Sequence, residues 1–247
     1  MKKFPFSAFL SLLLLTACGK EGPSAAADVS VRPASLPAAG ENADKGASVR
    51  IDFGNAVMKG DAPAGWKYKG KPGTPDARFE IVRDPETGRN VLKMTADRAS
   101  GVILFDLKDV DLVRYPVMRW KWKAEELPDG ADARVKEKDD QGISLYVGCG
   151  RFRQTSVSYA WQTETPKGLQ GKSVYNGLVT TFWTSCRDKS DGLGKWYVEA
   201  YPVADDIRAK FGGGELPSGL ALTISTNSQY TGTRAVCFLE YIEFSEK

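Results

Sequence analysis

The sequence predicts an all-β domain, an antiparallel sandwich or jelly roll with one short helix. Three observations predict it. From residue 49 to 247, some eleven short runs either alternate apolar and polar residues or are continuously apolar, as half-buried and fully buried strands do. Clusters of turn formers separate them: Asp84-Pro85-Glu86-Thr87-Gly88, Leu127-Pro128-Asp129-Gly130, Gly192-Leu193-Gly194 and Leu216-Pro217-Ser218-Gly219. One stretch, "ADDIRAKFGGG", reads as helix. Asp205 and Asp206 suit its N-terminus, Lys210 its last turn and Gly212 a left-handed stop.

Ahead of that domain stands "MKKFPFSAFLSLLLLTAC", two lysines followed by an apolar run and Leu15-Thr16-Ala17-Cys18. A basic start and a short apolar run make a secretory signal, too short to span a bilayer as a helix. The ending resembles the lipobox of bacterial lipoproteins. That resemblance implies removal of residues 1–17, lipidation of Cys18 as the mature N-terminus, and attachment to the bacterial cell envelope through the acyl chains. Gly19 after the cysteine implies the outer membrane, facing the periplasm. Residues 18–48 then comprise the lipidated cysteine and a flexible tether. They are rich in Ala, Gly, Pro and Ser and too poor in bulky apolar groups to order themselves. Such a coil reaches about 30 Å.

Residues 49–247 form the sandwich domain. The strand runs, in order, are "VRIDF", "RFEIVRD", "NVLKMTAD", "GVILFDL", "PVMRWKWKA", "GISLYVG", "SVSYAWQ", "LVTTFWTS", "KWYVEAYPV", "GLALTIST" and "AVCFLEYIEF". In the fifth, Trp120 and Trp122 stand two apart and share a face with Met118 and Ala124, which suits a sandwich core. Arg119, Lys121 and Lys123 take the opposite face, an ordinary wet one.

Composition excludes several functions. The chain has no histidine, so Ser-His-Asp and Cys-His catalysis and His-ligated metal sites are ruled out. Removing residues 1–17 takes away Lys2 and Lys3 and no acid, so the formal charge falls from +3 to +1. A near-neutral chain offers no general field for nucleic acid. Beyond Cys18 there are Cys149, Cys186 and Cys237. In an exported domain Cys149 and Cys186, each ending a strand-like run, are the expected disulfide pair, and Cys237 a buried small residue. Gly171-Lys172-Ser173 is no phosphate loop, because the pattern needs glycine where Pro166 stands.

"RWKWK" at 119–123, "LPDGAD" at 127–132, "DDQGISLYV" at 139–147, "SYAW" at 158–161, "GKW" at 194–196 and "DDIRAKFG" at 205–212 occur in one order. This ordered set resembles a bacterial exported family known as domain of unknown function 3047, over roughly residues 50–245. The resemblance implies a β-sandwich-like domain and no established activity. Where that family carries an acidic Asp-x-Asp-like stretch near its C-terminus, this chain has "STNSQYTG" at 225–232, without carboxylates. A looser likeness to galactose-binding-type jelly rolls rests on "IDFGNA" followed by Trp66, the tryptophan strands and the apolar closing strand.

For function, the leading expectation is non-catalytic binding of a glycan. Aromatic rings beside hydroxyls and amides suit sugars, whose C–H faces stack while their hydroxyls seek polar partners. Tyr159, Trp161 and Trp183 are the candidate platforms, with Arg153, Gln162 and Glu199 as polar contacts. Tyr159 and Trp161 also fit a core reading, with Ser156, Ser158 and Gln162 facing water. Asp139 and Asp140 are a candidate site for calcium; no other cofactor is implied. One alternative is a glycoside hydrolase or lyase using Glu199 with Asp139 or Asp140. Another is a structural or assembly lipoprotein that binds a second envelope protein, which a large exposed apolar patch without a pocket would favour.

Overall fold

The computed structural model describes residues 30–31, 47–175 and 177–246. The signal segment, Cys18 and the tether apart from Ser30, Val31, Ala47 and Ser48 lie outside the described residues. The strands are β1 (Ser30–Val31), β2 (Ser48–Asp52), β3 (Met58–Lys59), β4 (Ala62–Pro63), β5 (Lys67–Gly70), β6 (Arg78–Arg83), β7 (Asn90–Asp97), β8 (Ser100–Asp106), β9 (Val117–Glu126), β10 (Gln141–Cys149), β11 (Gln154–Trp161), β12 (Leu169–Tyr175), β13 (Val179–Arg187), β14 (Tyr197–Tyr201), β15 (Ala221–Asn227) and β16 (Arg234–Ser245). The helix α1 spans Val203–Lys210, with Asp205 and Asp206 in its first turn. Gly213 N closes back on Arg208 O at 2.8 Å, and Gly212 takes φ +105°, which favours glycine.

Two sheets face each other. The first has eight strands in the order β1-β12-β13-β11-β10-β15-β8-β5; the second runs β14-β9-β16-β7-β6, with β2 also paired to β16. All pairs are antiparallel except one: β11 and β13 run parallel, because β12 hairpins onto the far side of β13. All eleven expected runs are strands. The additional β12, "LQGKSVY", carries too few apolar residues to read as one. β1, inside the expected tether, adds two residues to its outer edge.

The interior is aromatic. Trp120 and Trp122 meet edge to face at 5.3 Å, Trp122 packs on Trp161 at 5.7 Å, and Trp120 on Tyr159 at 5.4 Å. The last two contacts cross the gap, joining β9 of the second sheet to β11 of the first. Burying each such side chain contributes about 2–3 kcal/mol. Trp120 and Trp122 are fully buried, as their spacing implied.

Two expectations need correction. The face of Arg119, Lys121 and Lys123 is not uniformly wet: Lys123 is buried and its ammonium lies 2.7 Å from Asp84, while Lys121 lies 2.9 Å from buried Glu240. Trp196 covers both lysines, its ring 5.0 Å from Lys123 and 5.7 Å from Lys121. Burial alone would raise the Asp84 carboxyl, but hydrogen bonds from Lys123 and Thr87 outweigh it and hold it down at about 2.

The described cysteines, Cys149, Cys186 and Cys237, are all free. Cys149 is level with Thr155 across β10–β11, and Thr155 with Thr180 across β11–β13. Cys186 is six residues further along β13, roughly 20 Å at strand rise, whereas a disulfide needs Cα atoms about 6 Å apart. Strand ends adjacent in sequence pattern thus fall at opposite ends of the sheet. Cys237 is buried, as expected.

Candidate functional site: a cleft on the outer face of the eight-stranded sheet

Most of the residues expected to bind do not meet at a surface. Tyr159 and Trp161 point into the sandwich and are essentially sealed. Trp161 Nε1 donates to Asp188 O at 3.2 Å and Tyr159 to Asp206 at 2.7 Å, so even their polar ends are used internally. Trp183 points to the other side of the sheet but is only 4% exposed. It lies on Gly171, where a Cβ would come within 2.1 Å of its ring, and donates to Ser173 at 3.1 Å. Gln162 is buried behind the end of β11. Arg153 is exposed in the β10–β11 connection.

Glu199 also faces inward. It pairs with Trp120 in the β14–β9 register, is buried, and forms an ion pair with Arg187. Arg187 in turn sits 2.8 Å from Asp191 and over the Tyr197 ring at 3.7 Å. Burial raises the Glu199 carboxyl, and the Arg187 charge works against that rise. This is a structural tie at the sheet edge. Glu199 therefore cannot act with Asp139 as a hydrolytic pair, because the eight-stranded sheet stands between them.

What the outer face of that sheet does hold is a cleft of about 150 Å³. Because side chains alternate along a strand, residues between those that fill the core form its floor. Val102 and Leu104 come from β8, Thr223 and Ser225 from β15, Tyr146 from β10, Ser156 from β11 and Thr181 from β13. Tyr175, at the end of β12, and Tyr230, in the β15–β16 loop, wall it in. Tyr230 is 40% exposed. The side chains of Gln141, Asn227 and Gln229 contribute amides. Gln229 Oε1 is buried and meets no donor among the described residues.

One end of the cleft is acidic. Asp139 is almost sealed and accepts hydrogen bonds from Tyr175 and from Gln141 Nε2. Burial, with Asp140 and Asp132 nearby, pushes its carboxyl up to about 7 in spite of those bonds. The same burial, with Asp139 opposite, raises the Tyr146 and Tyr175 hydroxyls. Asp140 turns away. Its oxygens accept from Asn227 Nδ2 at 2.9 Å and from Thr231 N and Oγ1 at 2.7 and 3.0 Å, which pins the β15–β16 loop over the start of β10. Lys71 reaches the same loop, 3.3 Å from the Tyr230 hydroxyl, and desolvation lowers its ammonium.

The two neighbouring carboxylates therefore do not converge on a cation. Each is already occupied by protein donors that a metal would have to displace, and no group of three or more Cys, Asp or Glu among the described residues could hold one. The calcium expectation lacks a donor set here. What the sequence reading missed is the cleft itself. Its signals were single tyrosines in polar surroundings, Tyr146, Tyr175 and Tyr230, and the carboxylate-free run at 225–232, four of whose residues line it.

The family described as Protein of unknown function (DUF3047) matches residues 64–243. The chain belongs to that family. Every cleft residue named above lies within the matched stretch of this DUF3047 domain. No curated protein matches the chain. Among solved structures, a family 11 carbohydrate-binding module from a Clostridium thermocellum cellulase aligns at TM-score 0.44 and 8% identity, covering 83% of this chain and 97% of that one. A CBM22-1 xylan-binding domain from Paenibacillus barcinonensis aligns at TM-score 0.41 and 15% identity, covering 83% and 98%. A family 30 carbohydrate-binding module from Clostridium thermocellum aligns at TM-score 0.40 and 16% identity, covering 80% and 99%. All three are too remote for their ligands to be carried over to the DUF3047 domain.

Proposed function

We propose that the protein is a lipid-anchored glycan-binding protein of the bacterial envelope, and that the cleft on the eight-stranded sheet is its binding site. The observation that carries the reading is the make-up of that cleft. Tyrosine rings and aliphatic side chains offer apolar faces, while amides, hydroxyls and the orphaned Gln229 Oε1 offer hydrogen bonds. A sugar ring needs both on one surface. A concave site that mixes apolar faces with hydrogen-bonding groups also favours a small ligand over the assembly-protein alternative, since exposed large apolar residues such as Val57, Val113 and Leu193 stand singly.

The binding residues are then Tyr146, Tyr175, Tyr230, Gln141, Asn227 and Gln229, in place of the aromatic set expected from the sequence. Ser156 lies on the floor, its hydroxyl 3.2 Å from that of Thr181. Ser156→Trp should fill the cleft and lower affinity for any oligosaccharide found by array screening at least about tenfold, or 1.4 kcal/mol, with the melting temperature little changed. Unaltered affinity in the filled variant would exclude the cleft.

The anchor rests on the lipobox-like ending at Cys18. In cells fed labelled palmitate, the full chain should take up label and fractionate with membranes, and Cys18→Ser should do neither. Equal labelling of the two would remove the anchor.

A further inference from the structure

The margin of the cleft carries an unusual tip. β10 and β11 are joined by Gly150-Arg151-Phe152-Arg153. Cys149, Gly150, Gln154 and Thr155 line the cleft, so the three residues between them project from its edge. The tip has a built conformation. Gly150 adopts φ +124°, where a Cβ would stand 1.9 Å from Arg153 O, so only glycine fits. Gln154 N donates to Leu178 O at 2.8 Å, which ties the tip to the β12–β13 turn.

Phe152 is 81% exposed, more than any other large apolar residue described. The Arg151 guanidinium stands 5.5 Å from its ring centroid. Neither Arg151 nor Arg153 is paired with a carboxylate among the described residues. An exposed aromatic ring with one uncompensated guanidinium beside it and a second uncompensated arginine next in the chain, continuous with a cleft of amides and tyrosines, is a surface made for a ring that carries negative charge.

From this geometry we propose that the tip is a subsite for an acidic sugar, so that the ligand is an anionic oligosaccharide running from the cleft over Phe152. The ring of one residue stacks on Phe152, and its carboxylate or other anionic substituent pairs with Arg151 and Arg153. The inference rests on the cleft reading and extends it. A membrane surface is the rival occupant of such a tip, but one phenyl ring with the half-exposed Leu178 beside it buries too little apolar area to hold a bilayer.

The test titrates the full-length protein with an oligogalacturonate and with a neutral cello-oligosaccharide of equal length, at low and high salt. Wild type should prefer the acidic chain about tenfold at low salt, and salt should erase most of that preference. The double variant Arg151→Gln/Arg153→Gln should lose the preference and keep its affinity for the neutral chain. Phe152→Ala should weaken both several-fold, and Ser156→Trp should abolish both. An acidic preference that survives in the double arginine variant, or is absent from wild type, overturns the tip subsite while leaving the cleft standing. Undiminished binding by Ser156→Trp overturns the cleft instead. A third arm compares wild type with the arginine variant on phosphatidylglycerol vesicles. A difference there, without one on oligogalacturonate, assigns the tip to the membrane and sinks the proposal.

Discussion

Trp161→Ala should destabilise the domain by about 3–5 kcal/mol without weakening ligand binding by the protein that remains folded. Its indole is fully buried, packs on Trp122 at 5.7 Å and Tyr197 at 5.5 Å, and donates to Asp188 O. Truncation removes the apolar burial, opens a cavity between the sheets and leaves that carbonyl without its donor. For a domain of this size the melting temperature should fall on the order of 10 °C. Denaturant unfolding gives the stability change, and oligosaccharide titration well below the melting point gives the affinity. A variant with native stability and lost affinity would return Trp161 to the role of a stacking platform.

Asp139→Asn should change the pH dependence of stability. The Asp139 carboxyl ionises near 3.8 when unconstrained and is pushed to about 7 in the folded protein, chiefly by burial. Between those values the folded state holds a proton that the unfolded chain has released, so stability falls as pH rises through the window and levels off above about 7. At about 1.4 kcal/mol per pH unit, this one group accounts for a loss of roughly 4 kcal/mol. Asparagine never ionises and still offers an oxygen to Tyr175 or Gln141. Urea unfolding of both proteins at pH 4.5 and pH 8 should therefore show the variant gaining several kcal/mol on wild type at the higher pH. Parallel pH curves would mean that Asp139 ionises normally and that the acidic end of the cleft is open to water.

Much of the fold was legible because strand periodicity is local. "NVLKMTAD" and "SVSYAWQ" announce their alternation, and "ADDIRAKFG" its caps, without reference to the rest of the chain. Less legible were elements stabilised by their neighbours. β12 is polar along its length and holds its place by pairing with β13, while β5 clips onto β8 with two lysines in four residues.

The site was harder for a different physical reason. A period of two separates two faces of a strand but does not say which one is inside. In β11 the aromatic face, Tyr159 and Trp161, turns to the core, and it is the opposite face of small polar residues, with Ser156, that helps floor the cleft. The sequence thus marked the correct strand and left its inner face open, and of the two readings it offered the core reading of Tyr159 and Trp161 is the one that holds. Glu199 and Lys123 were misread because their partners, Arg187 and Asp84, are distant in sequence and come close only once the sheets have formed. Arg153 alone of the expected polar contacts reaches the margin of the cleft.

The most direct test of the central claim is to map a bound oligosaccharide by amide chemical-shift perturbation in the labelled protein. A glycan in the cleft should shift amides around Asp139–Gln141, Tyr146–Gly150, Gln154–Ser156 and Thr223–Tyr230, and leave β6, β7 and β14 in place. Perturbations confined to the second sheet would contradict it.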